Sequence, residues 1–216
     1  LYQDTVTRGM VNILDDMGIE SFLKIDSGCE ESGMLKQFPV KQMLEWATKR
    51  TPENGSIGAQ IYGTKMRSIV KSVDMVRPIL TQQFQLAETI CSYGLVPIIE
   101  PEVPIDHPEK ALVEQELYAL LEKFLNEKKF KVILKLTPPD APNLYHNLTV
   151  KHNVERVVFL SGGYSTEEAC NRLGLNENVS ASFSRALSQD LYYNLTEDDF
   201  NAMISNNIKM ITEASK

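Results

Sequence analysis

Asp74-Met-Val-Arg-Pro-Ile-Leu-Thr-Gln-Gln-Phe-Gln-Leu-Ala-Glu-Thr-Ile-Cys-Ser-Tyr-Gly94-Leu-Val-Pro-Ile-Ile-Glu-Pro-Glu102 decides the fold. Residues 74–93 carry a helical pattern that Gly94 stops, and 95–99 form a short apolar run closed by charge and proline. Working outward, the same alternation repeats along all 216 residues. Short apolar runs at 21–25, 57–63, 95–99, 132–136, 156–160 and 179–183 predict strands, each followed by polar, Gly or Pro residues. Helical patterns at 37–48, 74–93, 109–129, 166–173 and 197–214 lie between or after them. The helix starts are marked by the capping box Ser165-Thr-Glu-Glu168, its weaker counterpart Thr196-Glu-Asp-Asp199, and Pro108. Asn54-Gly55 is the one Asn-Gly or Asp-Gly dipeptide, and it sits between unlike segments. Strand followed by helix, without hairpins, predicts parallel strands joined by crossovers. A doubly wound sheet and a (β/α)₈ barrel both satisfy that pattern. No Pro/Gly/Ser-rich linker divides the chain, so a single domain is expected.

Charge and composition narrow the function. Hydrophobic residues make up 43% and charged residues 24%, the proportions of a folded globular chain. The net charge of −7 gathers no phosphodiester backbone, which argues against a nucleic-acid partner. No stretch reaches the roughly 20 apolar residues that span a bilayer. Cys29, Cys91 and Cys170 are far apart and odd in number, a usage suited to a reducing, cytoplasmic compartment. Asn147-Leu-Thr, Asn178-Val-Ser and Asn194-Leu-Thr match the glycosylation pattern but carry little weight without a leader sequence.

Residues two apart in a strand share a face. Lys24 therefore pairs with Asp26, Lys65 with Arg67, and Glu100 with Glu102, while Lys135 stands alone in Val132-Ile-Leu-Lys-Leu136. All lie toward the downstream ends of their runs, where parallel α/β folds hold ligands. Burying Lys135 disfavours its ammonium form, and Lys65 and Arg67 push the same way if they share its cavity. Lowering an amine from about 10.4 to about 7 takes roughly 4–5 kcal/mol of differential environment. The product is a nucleophile. With Glu100 or Glu102 to shuttle protons, the chemistry suggested is Schiff-base formation on a carbonyl substrate. Ser161-Gly162-Gly163, set between an apolar run and a capped helix, offers backbone N–H groups to an anion. Ser184-Arg185, after the last run, adds a guanidinium fork.

Gly94-Leu-Val-Pro-Ile-Ile-Glu-Pro-Glu102, Val132-Ile-Leu-Lys-Leu136, Val157-Val-Phe-Leu-Ser-Gly-Gly163 and Ser182-Phe-Ser-Arg-Ala-Leu187 together resemble class I fructose-bisphosphate aldolases. Phe22-Leu-Lys-Ile-Asp26 and Gly63-Thr-Lys-Met-Arg67 are similar to that family's third and fourth strands, and the ending Ile211-Thr-Glu-Ala-Ser215 to its compact bacterial-type branch. The resemblance implies a (β/α)₈ barrel and reversible cleavage of fructose 1,6-bisphosphate to dihydroxyacetone phosphate and glyceraldehyde 3-phosphate, without metal or other cofactor. It implies that Lys135 is the Schiff-base lysine, Glu100 the proton-transferring carboxylate and Lys65 its acid–base partner. Glu102 and Arg67 would tune charge, and Lys24 and Asp26 would lie near the far end of the sugar phosphate. Ser161, Gly162, Ser184 and Arg185 would hold the phosphate on the dihydroxyacetone side. A phosphorylated sugar is then the partner, with assembly into a homo-oligomer left open.

Leu1-Tyr-Gln-Asp-Thr5 resembles the end of the family's second strand. The first strand, with its catalytic Asp and serines for the other phosphate, thus has no counterpart here. The expectation is one barrel domain over 1–216, N-terminally incomplete, with an open edge and impaired solubility or activity.

Blander readings apply elsewhere. His107, His146 and His152 are expected at the surface, the eight methionines as core filler, and Trp46 against the barrel. Glu30-Glu31 and Lys128-Lys129 are expected to be solvated, and Glu197-Asp198-Asp199 to suit a helix start. Two other readings stand beside the leading one: another imine-forming sugar-phosphate aldolase or transaldolase, and a non-catalytic barrel scaffold.

Overall fold

The structure, a computed structural model, describes residues 10–48 and 61–215. Its elements in chain order are α1 (Met10–Asp16), β1 (Ser21–Lys24), α2 (Val40–Thr48), β2 (Ile61–Ile69), α3 (Val73–Ser92), β3 (Val96–Glu102), α4 (Lys110–Glu127), β4 (Val132–Leu136), α5 (His146–Thr149), β5 (Val154–Phe159), α6 (Thr166–Gly174), β6 (Ser180–Ala181) and α7 (Glu197–Ala214). The six strands pair in parallel, in the order β1-β2-β3-β4-β5-β6. They form a curled partial (β/α) barrel, which decides between the two architectures open to the alternation pattern. The expectation placed on residues 1–5 lies outside the described residues.

Two-sided burial explains why β4 reads as a near-continuous apolar run. Val132, Leu134 and Leu136 face the helices and are fully buried, while Ile133 and Lys135 face the interior of the curl at 8% and 9% exposure. The helices cover the outer face with stripes at three- and four-residue spacing: Ile79, Leu80, Phe84, Ala87 and Ile90 on α3, Val113, Leu117, Leu121 and Leu125 on α4. Phe84 of α3 stacks on Phe124 of α4 with ring centroids 5.0 Å apart. Burying a side chain such as Phe84 stabilises the fold by roughly 1.5–3 kcal/mol. Gly63 marks a close approach between strands, since a Cβ there would stand 2.0 Å from the Val96 carbonyl oxygen and 2.7 Å from the Phe22 ring.

The strand and helix limits differ from the sequence expectations in informative places. β2 runs on to Ile69, so Lys65 and Arg67 lie inside a strand that the pattern ended at 63; residues 57–60 of that run are outside the described residues. β3 likewise continues through Glu102. In both, polar side chains facing a cavity break the apolar run without breaking the ladder. α1 and the four-residue α5 had no signal in the helical pattern. Ser165 and Thr196 cap α6 and α7 as expected, accepting hydrogen bonds from the N–H groups of Glu168 and Asp199 at 3.2 Å each. Among the described histidines, His152 is exposed, whereas His107 and His146 are half-buried, and the ring of His107 meets the Lys71 carbonyl at 3.0 Å. Trp46 lies in α2, its side chain outside the described atoms.

Candidate active site

The register of the sheet builds the site. Ile98 of β3 pairs with Ile133 of β4, so two residues further on Glu100 and Lys135 stand level on the same interior face. Arg67 of β2 pairs with Glu100, and Lys65 pairs with Ile98 one interior position earlier. Three strands thereby bring two cations and a carboxylate together. Lys135 Nζ lies 3.3 Å from Glu100 Oε1, and Lys65 Nζ lies 2.8 Å from Glu100 Oε2. The second contact is an ion pair without hydrogen-bond alignment, so Oε2 makes no directed bond. Glu100 is 2% exposed. Arg67 Nε donates to Glu102 Oε2 one interior position further along β3.

Electrostatics at Lys135 oppose one another. Burial is the largest influence and pulls its amine below the ordinary lysine value; the Glu100 carboxylate pushes it back up, and the Lys65 cation pulls it down again. The net effect is a lowered amine. Of the two cations expected to act this way, Lys65 bears on the amine, while Arg67 is paired with Glu102.

A glycine turn closes the downstream end. β5 leads into Ser161, and the turn over Gly162 (φ +61°) and Gly163 (φ +117°) is closed by the Tyr164 N–H donating to the Ser161 carbonyl at 2.8 Å. A Cβ on Gly162 would come within 2.7 Å of Ile105 Cγ2, so both backbone conformation and space favour glycine. Arg185 and Ser184 follow β6 and are exposed toward the opening. Lys65, Arg67, Glu100, Glu102, Lys135, Ser161, Gly162, Ser184 and Arg185 all line one open cleft.

Lys24 and Asp26 do not line that cleft. They pair with each other at 2.7 Å, with the Lys24 side chain 58% exposed, and Asp26 reaches the Arg67 N–H at 3.3 Å. Their place is the flank of the site beside Arg67. Sequence reasoning missed Ser182 and Leu160, which also line the cleft. It missed Gln83 as well. On the inner stripe of α3 this fully buried side chain accepts from the Glu100 N–H at 2.9 Å and donates to the Glu100 carbonyl at 3.2 Å and to Ser68 Oγ at 2.8 Å. The available signal was a glutamine at a helical position where its neighbours Ile79, Leu80, Phe84 and Ala87 are apolar.

The partial parallel barrel thus gathers a buried lysine, a bridging carboxylate and a glycine turn in one cleft. Comparison with known proteins makes the class specific. The chain is 42% identical over 207 residues to the class 1 fructose-bisphosphate aldolase of Clostridium acetobutylicum, covering 93% of this chain and 68% of that one. It is 42% identical over 227 residues to the same enzyme of Synechocystis, covering 100% and 74%. Among solved structures, Plasmodium falciparum fructose-bisphosphate aldolase, crystallised with TRAP and a small-molecule inhibitor, superposes with a TM-score of 0.73 at 20% identity, over 95% of this chain and 71% of that one. No protein-family model matches the chain. The chain belongs to the class I fructose-bisphosphate aldolase family.

Proposed function

We propose that this chain is a metal-independent aldehyde-lyase that reversibly cleaves fructose 1,6-bisphosphate to dihydroxyacetone phosphate and glyceraldehyde 3-phosphate. The observation that carries the reading is a buried amine, Lys135, 3.3 Å from a carboxylate that is itself 2.8 Å from a second amine, Lys65. Lys135 attacks the substrate ketone as the neutral amine. Glu100 passes protons while the carbinolamine forms and loses water, with Lys65 holding the carboxylate's charge in place. The protonated imine then draws in the electron pair of the breaking carbon–carbon bond, leaving an enamine on Lys135 instead of a bare carbanion. Ser161, Gly162, Ser184 and Arg185 hold the phosphate nearest the ketone through backbone N–H groups and a guanidinium. Glu102, with Arg67, keeps the cleft's charge balanced, and Lys24 and Asp26 face the far end of the sugar. A glycolytic role in the cytoplasm follows from that chemistry.

The test is borohydride reduction in the presence of dihydroxyacetone phosphate, followed by peptide mass mapping. A reduced adduct on Lys135 that disappears in Lys135→Ala is the expected result. An adduct on another lysine, or none, overturns the mechanism. Equal trapping with a different sugar phosphate and none with the named pair would transfer the chain to another imine-forming aldolase or transaldolase.

A further inference from the structure

We propose that Gln83 is a positioning residue for proton transfer: its side-chain amide fixes the main chain of Glu100, and through it the reach of the Glu100 carboxylate to Lys135. The inference rests on the imine-forming reading above and assigns it a residue outside the cleft.

Three observations converge on Gln83. Its amide uses both N–H donors and its carbonyl at once, on the Glu100 carbonyl, Ser68 Oγ and the Glu100 N–H. The grip therefore spans β2, which carries Lys65 and Arg67, and β3, which carries Glu100 and Glu102. The β3–β4 pairing is made at Ile98 and Ile99, and one residue later it is Gln83 that holds the main chain of Glu100. Finally, Gln83 sits in an apolar stripe where a leucine would pack without the cost of burying an amide. A polar group retained there and fully satisfied specifies one geometry.

Gln82, the preceding residue, supplies an internal control. Its amide makes the same two-bond grip on another main chain, accepting from the Leu35 N–H at 2.8 Å and donating to the Leu35 carbonyl at 2.9 Å. Both residues tether a neighbouring segment to α3, but only Gln83 tethers Glu100.

The experiment compares Gln83→Leu with Gln82→Leu, each alone and in a Glu100→Gln background. Q83L should slow borohydride trapping of dihydroxyacetone phosphate on Lys135 by roughly 10- to 100-fold, the order expected of a 1 Å displacement of a reacting group. Q82L should change it less than about twofold. In the E100Q background the further loss from Q83L should shrink to less than about twofold, because the carboxylate it positions is gone. Equal losses from Q82L and Q83L, or a Q83L loss that persists in full beside E100Q, would reduce Gln83 to packing. A second readout needs no turnover: the pH midpoint for acylation of Lys135 by acetic anhydride should move in Q83L and stay put in Q82L. If the unaltered chain traps no adduct, the proposed function fails while the acylation arm still judges Gln83, and a midpoint unmoved by Q83L overturns the positioning role. Gln83→Met serves in the same scheme should Q83L not fold.

Discussion

Replacing Glu100 by glutamine should drive two reactions of Lys135 in opposite directions. The carboxylate stands 3.3 Å from Lys135 Nζ, with side-chain exposures of only 11% and 3%, so solvent screens the pair weakly. Two unit charges about 4 Å apart interact by about 4 kcal/mol at an effective dielectric of 20. Glu100 also serves Lys65, and the cleft relaxes when a charge leaves; if only about a third of the interaction is recovered, roughly 1.4 kcal/mol remains, which is tenfold in the neutral fraction of the amine. At pH 7, E100Q should therefore acylate at Lys135 roughly ten times faster with a neutral reagent such as acetic anhydride. Imine formation with dihydroxyacetone phosphate should slow by roughly 10²-fold or more, since the proton shuttle is lost. Competitive labelling and rapid-quench borohydride trapping on the same preparations measure the two rates. If both rates rise, Glu100 does not carry protons; if both fall, its charge does not hold the ammonium form. Either result refutes the reasoning.

Two further perturbations test the surroundings. Because burial lowers the Lys135 amine, the unfolded chain carries a proton there that the folded chain lacks between the lowered value and the ordinary value near 10.4, so stability rises with pH across that window. Lys135→Met should abolish that rise and leave the protein at least as resistant to urea at pH 7, Glu100 keeping Lys65; a loss above about 1 kcal/mol would contradict the sign. Lys110 is 5% exposed and donates to Glu114, Asp140 and the Pro138 carbonyl, so Lys110→Met should destabilise by about 3–5 kcal/mol in chemical denaturation. A change under about 1 kcal/mol would show that Glu114, whose carboxyl burial already raises, is content without its partner.

The fold was legible where one face of an element had a single environment. Helices such as α3 and α4 bury a stripe against the sheet, and β4 is buried throughout, so their apolar patterns survive in the sequence. β2 and β3 were cut short because their interior faces become polar at Lys65, Arg67, Glu100 and Glu102, the very residues that make the cleft. The spacing of charges two apart correctly put Lys65 with Arg67, and Glu100 with Glu102, on one face. What it could not carry is the register between strands, which decides that Glu100 meets both Lys135 and Lys65 while Glu102 meets Arg67. Lys24 and Asp26 obey the same spacing but turn toward each other at the flank, because β1 ends at Lys24 and Asp26 is drawn to the Arg67 N–H. Gln83 shows the converse. Two of its three partners are main-chain atoms, which leave no mark in composition or motif.

Strands that neighbour one another in the sheet also follow one another along the chain, β1 to β6 without exception. During synthesis, which delivers N-terminal segments first, each new strand meets its partner already in place. By the time Leu136 is added, every member of the Lys65–Glu100–Lys135 cluster exists. The glycine turn starting at Ser161 belongs to a later portion. The ribosome thus makes the Lys65–Glu100–Lys135 cluster before the glycine turn and Arg185 that complete its cleft.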